Sequence, residues 1–251
     1  MKTPIGQPSD PMEPNPTWNL WPSWLGNDPV PGTIYKDVVD MRAARRVWEG
    51  FQTIVSVAPA GARKYGTFHS WVNGNYIRSQ GMAVRRQVDV ADGVVSLGRL
   101  LDHIAKFPTV LSRKRYLAEL HHATPDLGNE FFDSLVGPGA MSIDPATPLR
   151  HLEELREGTS KVRKWVSNEI AHYNKRTGEF SEDLTFGAVH EAMDLIFVIL
   201  NHYNRLILGS TTSGSLTMPP WEAVFRVAWI PDEGAFRHVM QVQRETDNAR
   251  M

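Results

Sequence analysis

Three polar side chains at four-residue spacing carry the most distinctive chemistry in this sequence. Asn168, His172 and Arg176 lie in the stretch WVSNEIAHYNKR, which spans residues 165–176. On a helix, residues four apart lie on one edge, so all three can line a single groove. A histidine can transfer a proton near neutral pH, and a nearby arginine can stabilise negative charge on phosphate oxygens. Three interpretations of residues 165–176 are open: an active site, the remnant of an active site, or the side of a helix on which a histidine at the edge of the core simply bonds to a neighbour.

A long helix is predicted to hold these residues, beginning with Thr147 as its N-cap. Its apolar positions recur every three or four residues, as one buried stripe requires. The stripe comprises Leu152, Leu155, Val162, Val166, Ile170 and Tyr173. At 100° per residue, His172 lies about 120° from the stripe centre near Val166. Arg163, nine residues before His172, points to the opposite side of the helix.

The remaining pattern is also helical, so the predicted fold class is an all-α helical bundle. Apolar positions at helical spacing favour helices over about 38–58, 67–89, 96–107 and 112–122. Thr124-Pro125 reads as an N-cap followed by proline at the first helical position. A later helix, with Thr185 or Ser181 as its cap, carries the run LIFVIL at residues 195–200. That run is apolar all round, which predicts the most buried helix of the bundle.

Proline is concentrated in residues 1–33, which predicts an arm without regular helix. Trp18, Trp21 and Trp24 lie in this arm, and buried indoles are worth a few kcal/mol each. The arm is therefore predicted to pack on the domain or on a partner. The helical domain is predicted to span residues 34–230, and residues 231–251 form a polar tail.

Composition limits the kinds of partner. Lys and Arg number 27 against 28 for Asp and Glu, so RNA must be bound by a local patch rather than a global field. The absence of cysteine excludes disulfides, thiolate nucleophiles and sulfur-ligated zinc, and it fits a reducing cytosol. The first residues contain no apolar run typical of a signal peptide, and residues 195–200 fall far short of the ~20 needed to span a membrane. A soluble, cytoplasmic protein is expected.

The stretch from Ser167 to His172 resembles the Arg-polar-x-x-x-His motif of the HEPN superfamily, the higher eukaryotes and prokaryotes nucleotide-binding domain. The surrounding chain is similar to its AbiU-like, abortive-infection branch. Supporting stretches are residues 84–89 with 94–101, the apolar helix 186–209, and WEAVFRVAW at residues 221–229. The resemblance covers about residues 38–230.

The resemblance implies a helical bundle, often dimeric, that cleaves RNA without a metal ion or other cofactor. His172 would move a proton to or from the ribose 2′-hydroxyl or the leaving oxygen. Asn168 would orient the phosphate. Ser167 departs from the motif, and losing a charge-stabilising donor commonly costs ~10²–10³ in rate.

Other cations are candidates to supply the missing charge and bind phosphate. Arg176 is predicted to lie on the correct face of the helix, with Lys175 adjacent. Arg85 and Arg86 belong to another predicted helix, which can face this one in a bundle. The alternative is that Arg85 and Arg86 form a structural salt-bridge cluster with Asp89.

Two further groups of polar residues have a spacing that could form a site. His190 and Asp194 have a spacing that can bind metal, but no third ligand follows, so Asp194 is expected to pair with an arginine at position 85 or 86. The fragment 201–205 is either part of a pocket with the His172 edge or the solvated end of its helix, which is favoured.

The predicted function is an HEPN-type protein of prokaryotic defence or a toxin–antitoxin system, with an ancestral metal-independent endoribonuclease activity weakened at Ser167. The alternative is a non-catalytic module that binds a nucleotide, RNA or a protein through the same groove and the arm. An antitoxin or other protein partner and a homodimer are expected, and a membrane is not. A purely structural scaffold is the third reading.

Overall fold

A computed structural model describes residues 16–26, 32–57, 66–168, 184–211 and 220–226, together with residues 237, 241, 242 and 245. Within these residues the chain is helical and contains no strand. The α-helices are α1 (Pro16–Leu25), α2 (Ile34–Val57), α3 (Gly66–Val88), α4 (Leu97–Lys106), α5 (Arg113–Leu120), α6 (Pro125–Val136), α7 (Ala146–Gly158), α8 (Ser160–Val166) and α9 (Phe186–Ile207). Short 3₁₀ helices cover Pro108–Val110 and Trp221–Arg226. The predicted all-α helical bundle is confirmed.

Local sequence signals place most helix ends correctly. The Ser96 hydroxyl caps α4 and the Thr185 hydroxyl caps α9, each accepting from the amide three residues on. Such caps satisfy backbone donors that have no partner inside the helix. Pro125 is the first residue of α6 as predicted, although the Thr124 side chain makes no capping hydrogen bond.

The proline-rich arm contains a helix where the sequence predicted none. Pro16 is the first residue of α1, where the missing amide hydrogen has no intrahelical partner in any case. Pro22 lies inside α1 and removes the hydrogen bond that its residue would give to the carbonyl of Trp18. Burial of the apolar side of α1 outweighs this local cost, so the prediction of an irregular arm was wrong.

The buried side of α1 consists of indoles. Trp18 and Trp21 are both buried in the main core. Trp21 Nε1 donates a hydrogen bond of 2.9 Å to Nδ1 of His103 on α4. Trp24 packs edge-on against the same imidazole, with ring centroids 5.4 Å apart. The arm is therefore attached to the bundle by both packing and a directed hydrogen bond.

The long helix predicted from Thr147 is divided at Thr159 into α7 and α8. The Thr159 side chain is buried, and its hydroxyl donates 2.7 Å to the carbonyl oxygen of Leu155. This kind of bond competes with the helical ladder and bends helices. In addition, α7 begins at Ala146, so Thr147 is not its cap. A single helical wheel therefore does not describe the whole segment.

Helix α9 packs against α2, α3, α7 and α8 and forms the centre of the bundle. Ile196, Ile199 and Leu200 are buried as predicted. Val198, however, is 65% exposed, so the prediction that this helix is buried all round was wrong. One side of α9 faces solvent even within its most apolar turn.

Helix α2 runs antiparallel to α3. Asp37 near the start of α2 pairs with Arg86 near the end of α3. Gln52 near the end of α2 donates to Asn73 in the first half of α3. Because residue numbers rise along one helix as they fall along the other, the two directions are opposite.

Helix α2 is antiparallel to α9 as well, so α3 and α9 run parallel. The guanidinium carbon of Arg42 lies 3.7 Å from the ring centroid of Phe197, while Trp48 contacts His190 with ring centroids 5.3 Å apart. Numbers again rise on one helix as they fall on the other.

Helix α7 runs opposite to α9, and α8 continues in the same direction, since Lys161 at its start lines a cleft with Glu191, nearer the start of α9. Both helices therefore run opposite to α3. His151 on α7 shares a hydrogen bond of 2.9 Å with Tyr203. About two turns further along α7, Gly158 lies so close to Leu195 that a Cβ there would clash with Cδ2 of the leucine. This direction decides which α3 residues lie near the end of α8.

The chain divides into two compact units, residues 1–216 and residues 217–251. The second unit contains the 3₁₀ helix Trp221–Arg226. Among the described residues, no helix combines the length and apolarity needed to cross a bilayer. The domain limits at 33/34 and 230/231 stay predictions.

Candidate nucleic-acid interface

The structure reaches only the start of the predicted motif. His172, Lys175 and Arg176 lie outside the described residues. Ser167 and Asn168 are half-buried and extend α8 in π-helical geometry. A π-helix has a wider turn, with i→i+5 hydrogen bonds, and such turns are frequent at functional sites. The α-helical angle of 100° per residue therefore applies only as far as the end of α8. That Asn168, His172 and Arg176 share one edge of a helix stays a prediction.

Arg86 has a structural role. Its Nη2 lies 2.5 Å from Oδ1 of Asp37, and Gln87 Nε2 donates 2.7 Å to the other oxygen of that carboxylate. Together they tie α3 to α2. The salt-bridge alternative thus holds for Arg86, with Asp37 as its partner, whereas Asp89 accepts a backbone amide two residues on.

The predicted partner of Asp194 was wrong. Asp194 pairs with Arg45 of α2 at 2.9 Å, not with an arginine at position 85 or 86, because its side of α9 faces α2. His190 shares a hydrogen bond of 2.8 Å with the Tyr76 hydroxyl. Both residues with metal-ligand spacing are thus engaged elsewhere, and in the described ranges no group of three or more potential ligands converges.

Arg78 is the α3 arginine at the level of the motif. Gly81 is the contact point of the two helices, since a Cβ there would lie 3.0 Å from Cγ2 of Val166. Because α8 runs opposite to α3, Asn168 and Arg78 both lie beyond this point in the same direction, Arg78 by about 4.5 Å at the α-helical rise of 1.5 Å per residue. Arg85 lies about 6 Å away in the other direction.

Helices α3 and α8, which pack on each other at Gly81, carry no acidic residue. Their cations are Arg78, Arg85, Arg86, Lys161, Arg163 and Lys164. The whole chain has a formal net charge of −1, so this is a local excess of positive charge. Such an excess attracts polyanions over the Debye length of about 8–10 Å.

Cations without an ion pair to a described residue lie on both helices, including Arg163 and Lys164 of α8, but only α3 carries two such arginines seven residues apart on one face. Arg78 and Arg85 are exposed, and neither makes an ion pair within the part of the chain that the structure describes. Lys161, by contrast, lines a cleft between α8 and α9 together with Glu157 and Glu191, which offset its charge. Arg78 and Arg85 are therefore the main candidates for phosphate contacts.

The inner side of α3 is held rigidly. Trp48 of α2 is stacked on Tyr76, with ring centroids 4.9 Å apart, and on Phe186, at 4.6 Å. Its Nε1 donates 2.8 Å to Oδ1 of Asn73. Burial raises the pKa of the Tyr76 phenol and lowers the pKa of His190, so that pair is neutral near pH 7. This neutral network fixes α2, α3 and α9 together, which sets the orientation of the outer face of α3.

The fragment 201–205 is not a solvated helix end as predicted. Tyr203 and Asn204 are buried, and His202 is largely so. Burial, with the nearby charges of His151 and two arginines, lowers the pKa of His202 to about 4. Its Nε2 is buried and has no hydrogen-bond partner among the described residues. The cluster belongs to the interior of the α7–α9 contact.

Sequence reasoning selected Arg85 and Arg86 but missed Arg78. Arg85 and Arg86 lie on a helix that can face the motif, but the level at which two helices meet depends on their directions, which the sequence does not specify. One signal was present: residues 66–88 contain three arginines and no acidic residue. An acid-free helix of this length in a chain of balanced charge indicates a basic surface.

No protein-family model, no curated protein and no solved structure matches this chain. Two features of the described residues bear on function: the acid-free α3–α8 pair, and the start of the motif at Ser167 and Asn168.

Proposed function

We propose that this chain is an HEPN-like helical protein of prokaryotic defence or toxin–antitoxin type that binds RNA along α3 and α8. The observation that carries the proposal is the acid-free pair of contacting helices with exposed Arg78 and Arg85. Arginine side chains bind phosphate oxygens through charge-assisted hydrogen bonds. The motif that resembles the HEPN signature begins at the same contact.

The spacing of the cations suits a linear polyanion better than a single small anion. Arg78 and Arg85 are seven residues apart, which is two helical turns and about 10.5 Å along α3. They therefore lie on the same face of α3, at a spacing at which both could contact one phosphate group only if the two side chains bent towards each other. A strand with regularly repeated phosphates matches this arrangement.

A double variant tests the binding proposal. We expect Arg78→Ala with Arg85→Ala to weaken the affinity for a fluorescent single-stranded RNA at least about tenfold, because two charge-assisted contacts are lost. Fluorescence anisotropy at fixed salt measures the change. The matched control removes Lys106 and Lys114, two exposed cations elsewhere, and leaves affinity unchanged. Equal affinities for both double variants would contradict the proposal.

Metal-independent cleavage of the bound RNA is the second candidate activity. The observation that favours it is that Arg78 and Asn168 lie on the same side of the contact between Gly81 and Val166. An arginine there would supply the positive charge that Ser167 lacks. His172 would transfer the proton and Asn168 would orient the phosphate, as the resemblance implies.

Incubation of RNA with the protein in EDTA tests this activity. We expect cleavage by the wild type, none by His172→Ala, and a kcat reduced ~10²–10³-fold in Arg78→Ala, because a charge-stabilising donor is removed. Arg85→Ala should instead raise KM with little change in kcat, because Arg85 only binds the strand. Intact RNA with the wild type would rule out the catalytic candidate and leave the binding proposal standing.

A cytoplasmic location, a homodimer and an antitoxin or other protein partner belong to the same proposal. They are implied by the resemblance at residues 167–172, with the all-α bundle as the supporting architecture. Size-exclusion chromatography with light scattering would test the dimer directly.

A further inference from the structure

Two large aromatic side chains stand exposed on the outer face of α3. Phe68 is 53% exposed and Trp71 is 63% exposed. Their rings are nearly parallel, with an interplanar angle of 22° and centroids 6.0 Å apart. Phe51 supports them from beneath, edge-on to Phe68 at 6.1 Å. The pair forms an exposed aromatic stack, which we call the Phe68–Trp71 platform.

The platform is in line with the cations of the proposed RNA interface. Trp71, Arg78 and Arg85 are each seven residues apart, so they follow one another on a single face of α3. About 10.5 Å separates each from the next along the helix. A ligand that extends along this face therefore meets a ring first and two guanidinium groups afterwards.

The residues around the Phe68–Trp71 platform indicate which kind of ligand it binds. An exposed aromatic pair can receive an apolar protein segment or a flat aromatic ring. Helix α3 has no acidic residue, and beyond Trp71 the same face carries Asn75 and Arg78 before the exposed Met82, so polar and basic side chains interrupt the apolar surface. A ligand with flat rings and regularly spaced negative charges fits this combination, and a nucleic-acid strand has both.

We infer that the Phe68–Trp71 platform stacks an unpaired base of the strand whose phosphates contact Arg78 and Arg85, and so makes the protein selective for single-stranded RNA. This inference rests on the proposed function. In a duplex the base faces are covered by neighbouring bases, so only a single strand can offer a free face to the platform. Stacking on an aromatic side chain tolerates any base, so selectivity is for strandedness and not for sequence.

The test compares strandedness in wild type and in Trp71→Ala. We expect Trp71→Ala to weaken binding of a 12-nucleotide single-stranded RNA roughly 5- to 150-fold, the range for one stacked base. Binding of a hairpin duplex RNA of the same composition should change less than twofold, because the duplex contacts only the arginines. Trp71→Phe should restore most of the single-strand affinity. Anisotropy titrations at one salt concentration measure all three.

Phe107→Ala is the matched control, since Phe107 is an exposed aromatic residue at the end of α4 and outside the interface. It should leave both affinities unchanged. Equal loss of single-strand and duplex binding in Trp71→Ala would overturn the inference, as would no loss in either. In both cases continued dependence on Arg78 and Arg85 would leave the proposed function intact.

Two further measurements distinguish RNA from DNA, and a nucleic-acid strand from a protein, as the ligand of the Phe68–Trp71 platform. A single-stranded DNA of the same sequence that binds as tightly as RNA, with the same Trp71→Ala loss, supports the platform and contradicts RNA specificity. Sedimentation of the free protein tests a protein occupant instead. If Trp71→Ala changes its mass while strand affinities stay equal, the platform covers a second copy and the inference is overturned.

Discussion

Replacing Trp21 with alanine is expected to lower the free energy of unfolding by about 3–5 kcal/mol, the usual cost of emptying a large buried aromatic site. Trp21 is fully buried within the core that joins α1 to α4. The substitution also leaves Nδ1 of His103 without its donor. Urea denaturation followed by circular dichroism at 222 nm measures the change.

Two further substitutions on α1, one beside Trp21 and one at Trp21 itself, serve as controls. Leu20→Ala, at a neighbouring site that is 37% exposed, should cost well under half as much. Trp21→Phe keeps most of the apolar ring but removes the hydrogen bond to His103, so an intermediate loss is expected. If Trp21→Ala costs no more than Leu20→Ala, α1 is not part of the folded core.

Acidification is expected to destabilise the fold by about 3 kcal/mol between pH 7 and pH 4 through His202 alone. Its folded-state pKa of about 4 lies below the ordinary value of 6.5, because burial disfavours the charged imidazole. Between these two values the unfolded chain binds more protons than the folded chain. The contribution of His202 to the free energy of unfolding is therefore fully present above about pH 6.5 and is lost as pH falls towards 4. Urea midpoints across this range measure it.

The pH slope, rather than absolute stability, identifies the residue responsible. His202→Gln should flatten the slope between pH 4 and 6.5, whereas His122→Gln, at an exposed histidine, should leave it unchanged. His151 contributes with the same sign, since burial lowers its pKa too. An unchanged slope in His202→Gln would show that the buried cluster does not control acid stability.

Local signals were sufficient for most of the fold. Ser96 and Thr185 were recognised as caps because capping depends on the few residues around a helix end. The period of the apolar residues identified α2 and α3 because it reflects one buried side. The failures came where distant contacts outweigh local preference. Burial of Trp21 stabilises a helix that contains Pro22, and the buried hydroxyl of Thr159 divides a helix of otherwise regular pattern.

The candidate site was harder to predict for a geometric reason. The sequence identifies Asn168 and the surrounding motif, but the neighbours of that motif depend on how α3 is aligned with α8. Their contact at Gly81 and their opposite directions favour Arg78 over Arg85 as the nearer cation. The same uncertainty affected Asp194, whose partner is Arg45 of α2.

The salt dependence of RNA binding tests the central claim most directly. Each phosphate contact on a single strand contributes about 0.7 to the slope of log affinity against log salt concentration. The Arg78→Ala, Arg85→Ala double variant is therefore predicted to show a slope reduced in magnitude by about 1.4, while the Lys106, Lys114 double variant keeps the wild-type slope. Identical slopes in all three proteins, or no salt-dependent binding by the wild type, would contradict RNA recognition through α3.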